Sequence, residues 1–310
     1  MLLYKKYKLP LIVLGVIIGL FYNQVQSQDL EPGFLSAMPI GGNFAIASYI
    51  HSGGNVLLDN TLPIEDLEAN LNNFAVGYVR SFKLLNKLAK FDAIIPYANG
   101  NFNALVNDED ASTSRHGFGD PFFRISMILI GVKALTPGEF LKEESKKFKL
   151  GVVFRFKAPL GEYDPEKLIN LGANRWAFKT GIAGSYTLLN KIVLEAHLNS
   201  WFFTENNDFF GGNTTKQEPL LETQLHITYI FKPGVWIAMS TGNTYGGKTE
   251  VNGVVNETTQ KNSRYGFAFG YRINKNHGLK IAYSNGLTTR NGADFNTFAL
   301  AYQFMWFDKK

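Results

Sequence analysis

The sequence predicts an all-β protein, a transmembrane antiparallel up-and-down β-barrel of about twelve strands. Three observations predict it: a segment typical of export at the N-terminus, two kinds of connection between strands, and regular alternation of apolar and polar side chains. The alternation is clearest over 297–307, where every second side chain is large and apolar: Phe298, Leu300, Tyr302, Phe304 and Trp306. Successive side chains of a strand point to opposite faces, so this strand has one apolar face, which we expect to meet lipid.

Residues 1–27 are predicted to be a signal peptide. Three lysines within the first eight residues precede an apolar run over 9–21, and small residues stand at the cleavage positions that end at Ser27. About thirteen apolar residues are fewer than the roughly twenty that cross a bilayer, which argues against a membrane anchor. We expect cleavage after Ser27 and a single mature barrel domain over 28–310.

Composition excludes several other classes of protein. The chain has no cysteine, so a disulfide, a thiolate metal site and a lipid-anchored N-terminus are excluded. Three of its 31 basic residues belong to the predicted signal, and the formal charge of +5 therefore falls to about +2 in the mature chain. That balance does not support nucleic-acid binding, which needs a clustered basic face. No later apolar run is long enough for a transmembrane helix.

Alternation over the mature chain predicts twelve strands without a boundary between domains. The predicted ranges are 43–52, 71–82, 89–98, 117–130, 147–157, 174–188, 191–204, 218–231, 235–245, 262–273, 277–287 and 295–307. An even number of antiparallel strands places both chain termini on the periplasmic side. The last strand would then close the barrel against the first, leaving no unpaired edge in lipid.

The predicted connections fall into two classes. Long ones follow the odd-numbered strands and mostly short ones follow the even-numbered strands, as in outer-membrane barrels with short periplasmic turns and longer extracellular loops. We expect 99–116 and 205–217 to be extracellular loops that gate the barrel. One connection on the periplasmic side, 131–146, is long and is expected to hold a short charged helix.

Charged residues on the polar face of each strand are predicted to line the lumen. In 262–273, Arg264 and Arg272 alternate with large apolar side chains, and an arginine facing lipid near the midplane would cost about 2–4 kcal/mol. The same test on the other strands gives the full predicted set: Arg124, Lys149, Arg155, Lys157, Arg175, Lys179, Glu195, His197, Glu222, His226, Arg264, Arg272 and Lys280.

Two interpretations of this mainly basic interior stay open. It could line a narrow pore for small anionic or polar solutes, or its charges could pair across strands and fill the interior. A barrel of eight strands is filled by side chains and one of sixteen holds a channel, so twelve strands do not decide between them. The sequence also leaves open whether 28–42 enters the lumen as a plug.

Four lumen residues on neighbouring strands invite a chemical interpretation. Glu195, His197, Glu222 and His226 could bind a metal or supply a general base, but strand register does not follow from sequence. The prediction favours ordinary polar groups of the lumen, with no metal site, cofactor or catalytic residue. A lipase-type enzyme is the alternative by architecture, and it needs a Ser-His pair that the sequence does not clearly provide. A third hypothesis is a non-conducting barrel that serves structure or binding.

Several strings resemble the bacterial outer-membrane family named for the meta pathway of phenol degradation. They are Asp29-Leu30-Glu31-Pro32, Gly54-Asn55-Val56-Leu57-Leu58-Asp59, Gly117-Phe118-Gly119-Asp120-Pro121, Ala158-Pro159-Leu160-Gly161-Glu162-Tyr163-Asp164-Pro165, Asn174-Arg175-Trp176, Asp208-Phe209-Phe210-Gly211-Gly212 and Asn262-Ser263-Arg264. The resemblance covers nearly the whole mature chain.

The resemblance implies an outer-membrane β-barrel that takes up small solutes, aromatic ones among them. It implies no catalytic residue and no enzymatic activity. The partners expected are outer-membrane lipids, a small-molecule solute and the barrel-assembly machinery, with no nucleic acid. The transported compound and the oligomeric state do not follow from the sequence.

Overall fold

A computed structural model describes residues 30–57, 64–143 and 146–308. The predicted signal peptide lies outside these residues. The described elements are almost all strands: β1 (Gly42–Leu57), β2 (Ile64–Leu84), β3 (Lys87–Val106), β4 (Glu109–Phe118), β5 (Phe122–Lys133), β6 (Phe148–Lys157), β7 (Ala177–Leu188), β8 (Ile192–Phe203), β9 (Asn206–Phe209), β10 (Asn213–Gln217), β11 (Leu220–Lys232), β12 (Val235–Gly246), β13 (Thr249–Val251), β14 (Val254–Val255), β15 (Gln260–Arg272), β16 (His277–Thr288) and β17 (Gly292–Phe307). A short helix, α1 (Pro137–Phe140), follows β5.

The main sheet closes on itself as an antiparallel barrel. Its order is β2-β1-β17-β16-β15-β12-β11-β8-β7-β6-β5-β3-β4, and β2 also pairs with β3. The last strand pairs with the first along its whole length, from Gly42 opposite Phe307 to Leu57 opposite Gly292. Both β4 and β5 pair with β3, so they share one position in the wall. The wall therefore has twelve strand positions, and the predicted fold class is confirmed.

The outer face of the wall carries large apolar side chains. Phe298, Leu300, Tyr302 and Phe304 are exposed, whereas Thr297 of the same strand is buried. Other strands show the same division, with the Phe154 ring of β6 stacked beside the Phe178 ring of β7. A contiguous apolar outer band is what a barrel in a bilayer presents to lipid.

One end of the barrel has short turns between strands, and β1 begins there at Gly42 while β17 ends there at Phe307. Leu85-Asn86 and Leu189-Asn190 connect strands with both residues at positive φ, as in type I′ hairpin turns. Helix α1 lies at this end, within the predicted 131–146. At its start Thr136 donates hydrogen bonds from its N–H and hydroxyl to Glu139, and these bonds lower the pKa of the Glu139 carboxyl. We call this the turn end.

At the opposite end of the barrel the strands extend further than predicted and occupy regions that were expected to be loops. The prediction of a loop over 99–116 was wrong: β3 and β4 form a hairpin that turns at Asn107-Asp108, both at positive φ. The predicted loop 205–217 contains β9 and β10, which pair in a small separate sheet with β13 and β14. We call this the loop end.

One apolar cluster of buried side chains lies inside the barrel. Phe34 and Leu35, which precede β1, pack there against four strand residues: Leu88, Ile128, Val153 and Ala183. The N-terminal stretch before β1 therefore belongs to the core of the fold. Among the described residues, no helix is long and apolar enough to cross a membrane.

Candidate functional site in the barrel lumen

Residues 30–41, here called the lumen segment, occupy the barrel interior. The segment runs in from the turn end, where the Ile40 N–H donates to the Leu135 carbonyl at 2.8 Å and the Gly41 N–H donates to the Ser81 carbonyl at 2.9 Å. Further in, Leu30 packs closely against Gly266 of β15. A Cβ added to Gly266 would lie 2.8 Å from a methyl group of Leu30. The sequence left open whether this stretch enters the lumen, and the structure places the described part of it there.

A single carboxylate of the lumen segment joins two strands of the wall. Glu31 forms ion pairs with Arg124 of β5 through one oxygen and with Arg155 of β6 through the other. Its backbone N–H donates to the Gln224 side chain at 3.2 Å. Arg124 is paired a second time, with Asp92 of β3. Charge-assisted hydrogen bonds of this kind are stronger than neutral ones, so Glu31 is the main polar anchor of the segment.

A second anchor holds the segment through its backbone. The N–H groups of Phe34 and Leu35 donate to the two carboxylate oxygens of Glu195 at 3.1 and 3.3 Å. Lys90 donates to the Phe34 carbonyl at 2.6 Å, and its ammonium lies 5.3 Å from the centre of the Phe34 ring. The His197 ring meets the same phenyl ring edge-on at 5.4 Å. The segment is thus fixed by both polar and aromatic contacts.

Glu222 is the centre of a second buried network, which Gln224 links to Glu31 of the lumen segment. Lys179 pairs with it at 2.8 Å, and both side chains are almost fully buried. Its oxygens also accept hydrogen bonds from three neutral side chains: Asn199 at 2.9 Å, Gln224 at 3.0 Å and Trp201 at 3.1 Å. A buried ion pair costs desolvation, which these additional donors offset.

Glu195, His197 and His226 come together on two paired strands. Strand β8 lies beside β11 with Glu195 directly opposite His226. Glu195 contacts His197 at 2.8 Å, and one ligand atom from each of the three residues lies within 4.8 Å of the others. His226 Nδ1 is 2.7 Å from the Ser240 hydroxyl of β12. Glu222, the fourth residue of the cluster predicted from sequence, belongs to the Lys179 network instead.

A cavity of about 330 Å³ remains in the lumen beside the segment. Its wall is apolar over part of its area, with Ile50, Ile94 and Phe122 among the lining residues. Glu31 and three basic side chains also line it: Arg124, Arg155 and Lys280. A cavity of this size, apolar with a few polar groups, is typical of sites for small molecules.

The structure places the predicted lumen residues at different depths. Most are buried on the face opposite the apolar side chains: Lys149, Arg155, Arg175, Lys179, Glu195, His197, Glu222, His226 and Arg264. Arg124, Lys157 and Lys280 are half-buried. Arg272 is exposed at the turn end, where its side chain lies against Gly234.

The basic residues do not form one ring around the lumen. Arg175 contacts Gln217 and stacks on the Phe203 ring near the loop end, and Arg264 donates to the Phe295 carbonyl at 2.9 Å. Sequence reasoning missed Glu31 and Phe34 as site residues. The only sequence signal for Glu31 was the family-like string Asp29-Leu30-Glu31-Pro32. The alternation pattern gives no position for this string, because it precedes the first strand.

Two of the strings that carry the family resemblance meet at the break between β4 and β5. Buried Asp120 accepts hydrogen bonds from the backbone N–H groups of Gly161 at 2.9 Å and Ala173 at 2.8 Å. The backbones approach so closely that a Cβ at Gly161 would lie 2.7 Å from Gly119. The connection 158–176 is therefore held against the barrel wall at the break between β4 and β5.

Comparison with known proteins agrees with this architecture. An outer membrane channel from Pseudomonas putida F1 is 19% identical and superposes with a TM-score of 0.76, covering 90% of this chain and 100% of that one. The β-domain of the Bordetella autotransporter BrkA is 13% identical, with a TM-score of 0.51 and coverage of 86% and 100%. The translocator domain of the autotransporter NalP from Neisseria meningitidis is 9% identical, with a TM-score of 0.52 and coverage of 86% and 88%. At these identities the likeness concerns the fold alone.

A search of curated protein sequences gave no match. A protein-family model, however, matches residues 49–302, which is most of the chain. This chain therefore belongs to the family described as "Putative MetA-pathway of phenol degradation".

Proposed function

We propose that this protein is an outer-membrane channel for small solutes, narrowed in this structure by its own N-terminal segment. The observation that carries the proposal is the cavity of about 330 Å³ inside a closed barrel, bounded on one side by the lumen segment. The outer membrane channel from Pseudomonas putida F1 has the same fold over its whole length, which supports a channel here.

The chemistry of the cavity favours small solutes with an apolar body and an anionic group. Ile94 and Phe122 offer apolar surface to a ring, while Lys280 brings positive charge to the same cavity. The family description points to phenol degradation, and the organic acids of aromatic metabolism have this amphipathic character. Benzoate is a suitable probe because it combines an aromatic ring with one negative charge.

The proposal includes export and removal of residues 1–27, with cleavage after Ser27. The lumen segment then lies only two residues from the new N-terminus, which supports its entry into the barrel as a free end. N-terminal sequencing of the outer-membrane form checks this point, and a first residue other than Gln28 would move the boundary.

Solute flux into proteoliposomes tests the proposed function. We expect swelling with phenol and with benzoate, and slower swelling with a neutral sugar, because the sugar gains neither from the apolar wall nor from the charge. Lys280→Gln should lower the benzoate flux relative to phenol several-fold, while Lys275→Gln, at an exposed turn, should leave the ratio unchanged. A barrel that admits none of these solutes, with or without its lumen segment, would be a non-conducting barrel.

A further inference from the structure

Glu195, His197 and His226 form a cluster whose geometry goes beyond that of ordinary lumen residues. All three are buried, and one ligand atom from each lies within 4.8 Å of the other two. The rings of His197 and His226 are centred 4.8 Å apart. Because the β8–β11 register places Glu195 opposite His226, the backbone holds the three side chains together.

The hydrogen bonding of His226 is the second, independent observation. This residue is 2% exposed, and its Nε2 has no hydrogen-bond partner among the described residues. Its other nitrogen, Nδ1, lies 2.7 Å from the Ser240 hydroxyl. Metal-binding histidines typically bond one nitrogen to an oxygen partner in this way, which leaves the lone pair of the other nitrogen for the ion. A buried ring nitrogen without a partner is otherwise unfavourable.

We propose that Glu195, His197 and His226 form a binding site for a divalent transition-metal ion such as Zn²⁺. Two imidazoles and one carboxylate are a donor set that suits Zn²⁺ and its neighbours, whereas Ca²⁺ and Mg²⁺ prefer oxygen ligands alone.

The cluster lies beside the lumen cavity. Ser240, the hydrogen-bond partner of His226, also lines the cavity of about 330 Å³. On the side of the turn end, the Phe34 ring covers His197.

Zn²⁺ titration of the untagged mature protein in detergent tests this site, after treatment with a chelator. Calorimetry should show about one Zn²⁺ per chain, as expected for one three-ligand site. His226→Asn should weaken binding by at least about tenfold, and Ser240→Ala, which removes only the outer partner, by about tenfold. His277→Asn is the matched control, because His277 lies at the turn end and contacts Tyr302.

Heat-modifiable migration on gels confirms that each variant is a folded barrel before titration. If His226→Asn fails to fold, Ser240→Ala and His197→Gln carry the same test. The proposal is overturned if the unsubstituted protein binds no Zn²⁺ at micromolar concentration, or if folded His226→Asn binds it as tightly as before. Equal weakening by His277→Asn would also overturn it, since binding would then be to the surface. Because the titration needs no transport, its result is independent of the proposed channel.

Discussion

Glu31 contributes strongly to keeping the lumen segment docked inside the barrel. Its carboxylate pairs with Arg124 and Arg155, which stand on neighbouring strands. Removing one partner of a buried ion pair costs about 3 kcal/mol, because the remaining charges lose their compensation. That cost corresponds to roughly a hundredfold shift between the docked and released positions of the lumen segment.

Glu31→Gln is therefore expected to raise the time-averaged conductance of the protein in a planar bilayer. The amide keeps the size of the side chain but not its charge, so the change isolates the ion pairs. Glu257→Gln is the control, since its ion pair with Lys248 is exposed at the loop end and has no part in the lumen. Equal conductance of Glu31→Gln and the unsubstituted protein would show that the ion pairs do not hold the segment.

The polar site could be predicted from sequence only in part. Alternation places Arg155 and Glu195 on the polar face of their strands. A charge facing lipid is costly, and this cost decides which alternate side chains of a strand face the lumen. It does not pair the charges with one another. Glu195 meets His226 through the register of β8 and β11, and Arg155 meets Glu31 through a segment that has no periodicity. Both depend on tertiary packing.

At the scale of elements, the connection 158–176 is held to the wall by one buried carboxylate. Asp120→Ala would leave the N–H groups of Gly161 and Ala173 without their acceptor. We expect a loss of about 2–4 kcal/mol in the free energy of unfolding, since each unsatisfied buried group costs about 1–3 kcal/mol. The midpoint of heat-modifiable unfolding measures this loss.

Limited trypsin digestion gives a local measure of the same prediction. Lys167 lies in this connection, and Asp120→Ala should speed cleavage after it. Glu257→Ala, at an exposed ion pair, is the control and should change neither measurement by much. An Asp120→Ala protein that resists trypsin and heat as before would mean that the carboxylate does not fasten the connection.

The strands were more predictable than the connections, and the reason is physical. Within the bilayer one face of each strand must be apolar, so twelve wall positions could be read from alternation. Outside the bilayer both faces of a strand can be polar, so the alternation that identifies a strand in the sequence disappears. Asn99, Asn101 and Asn103 lie in the part of β3 that was predicted to be a loop, yet they pair with β4. The hairpin turn at Asn107-Asp108 was the remaining clue.

At the scale of the whole molecule, the account requires that the apolar outer band lies in the bilayer. Leu300→Arg puts a charge on the exposed face of β17 and should cost about 2–4 kcal/mol near the midplane. Gln303→Arg, on the other face of the same strand, should cost much less. Denaturant unfolding of the two variants in lipid vesicles compares them directly, and an equal cost would contradict the assigned orientation of the strand.

The central claim is that a conducting lumen is narrowed by the chain's own lumen segment. Single-channel recording in planar bilayers tests it most directly, with the mature protein and a variant that lacks residues 30–40. Gly41 and Gly42 remain in the variant, so the entry to β1 is preserved. We predict small or rare openings for the mature protein and a larger, steady conductance for the folded variant. The same low conductance in both proteins would contradict the account.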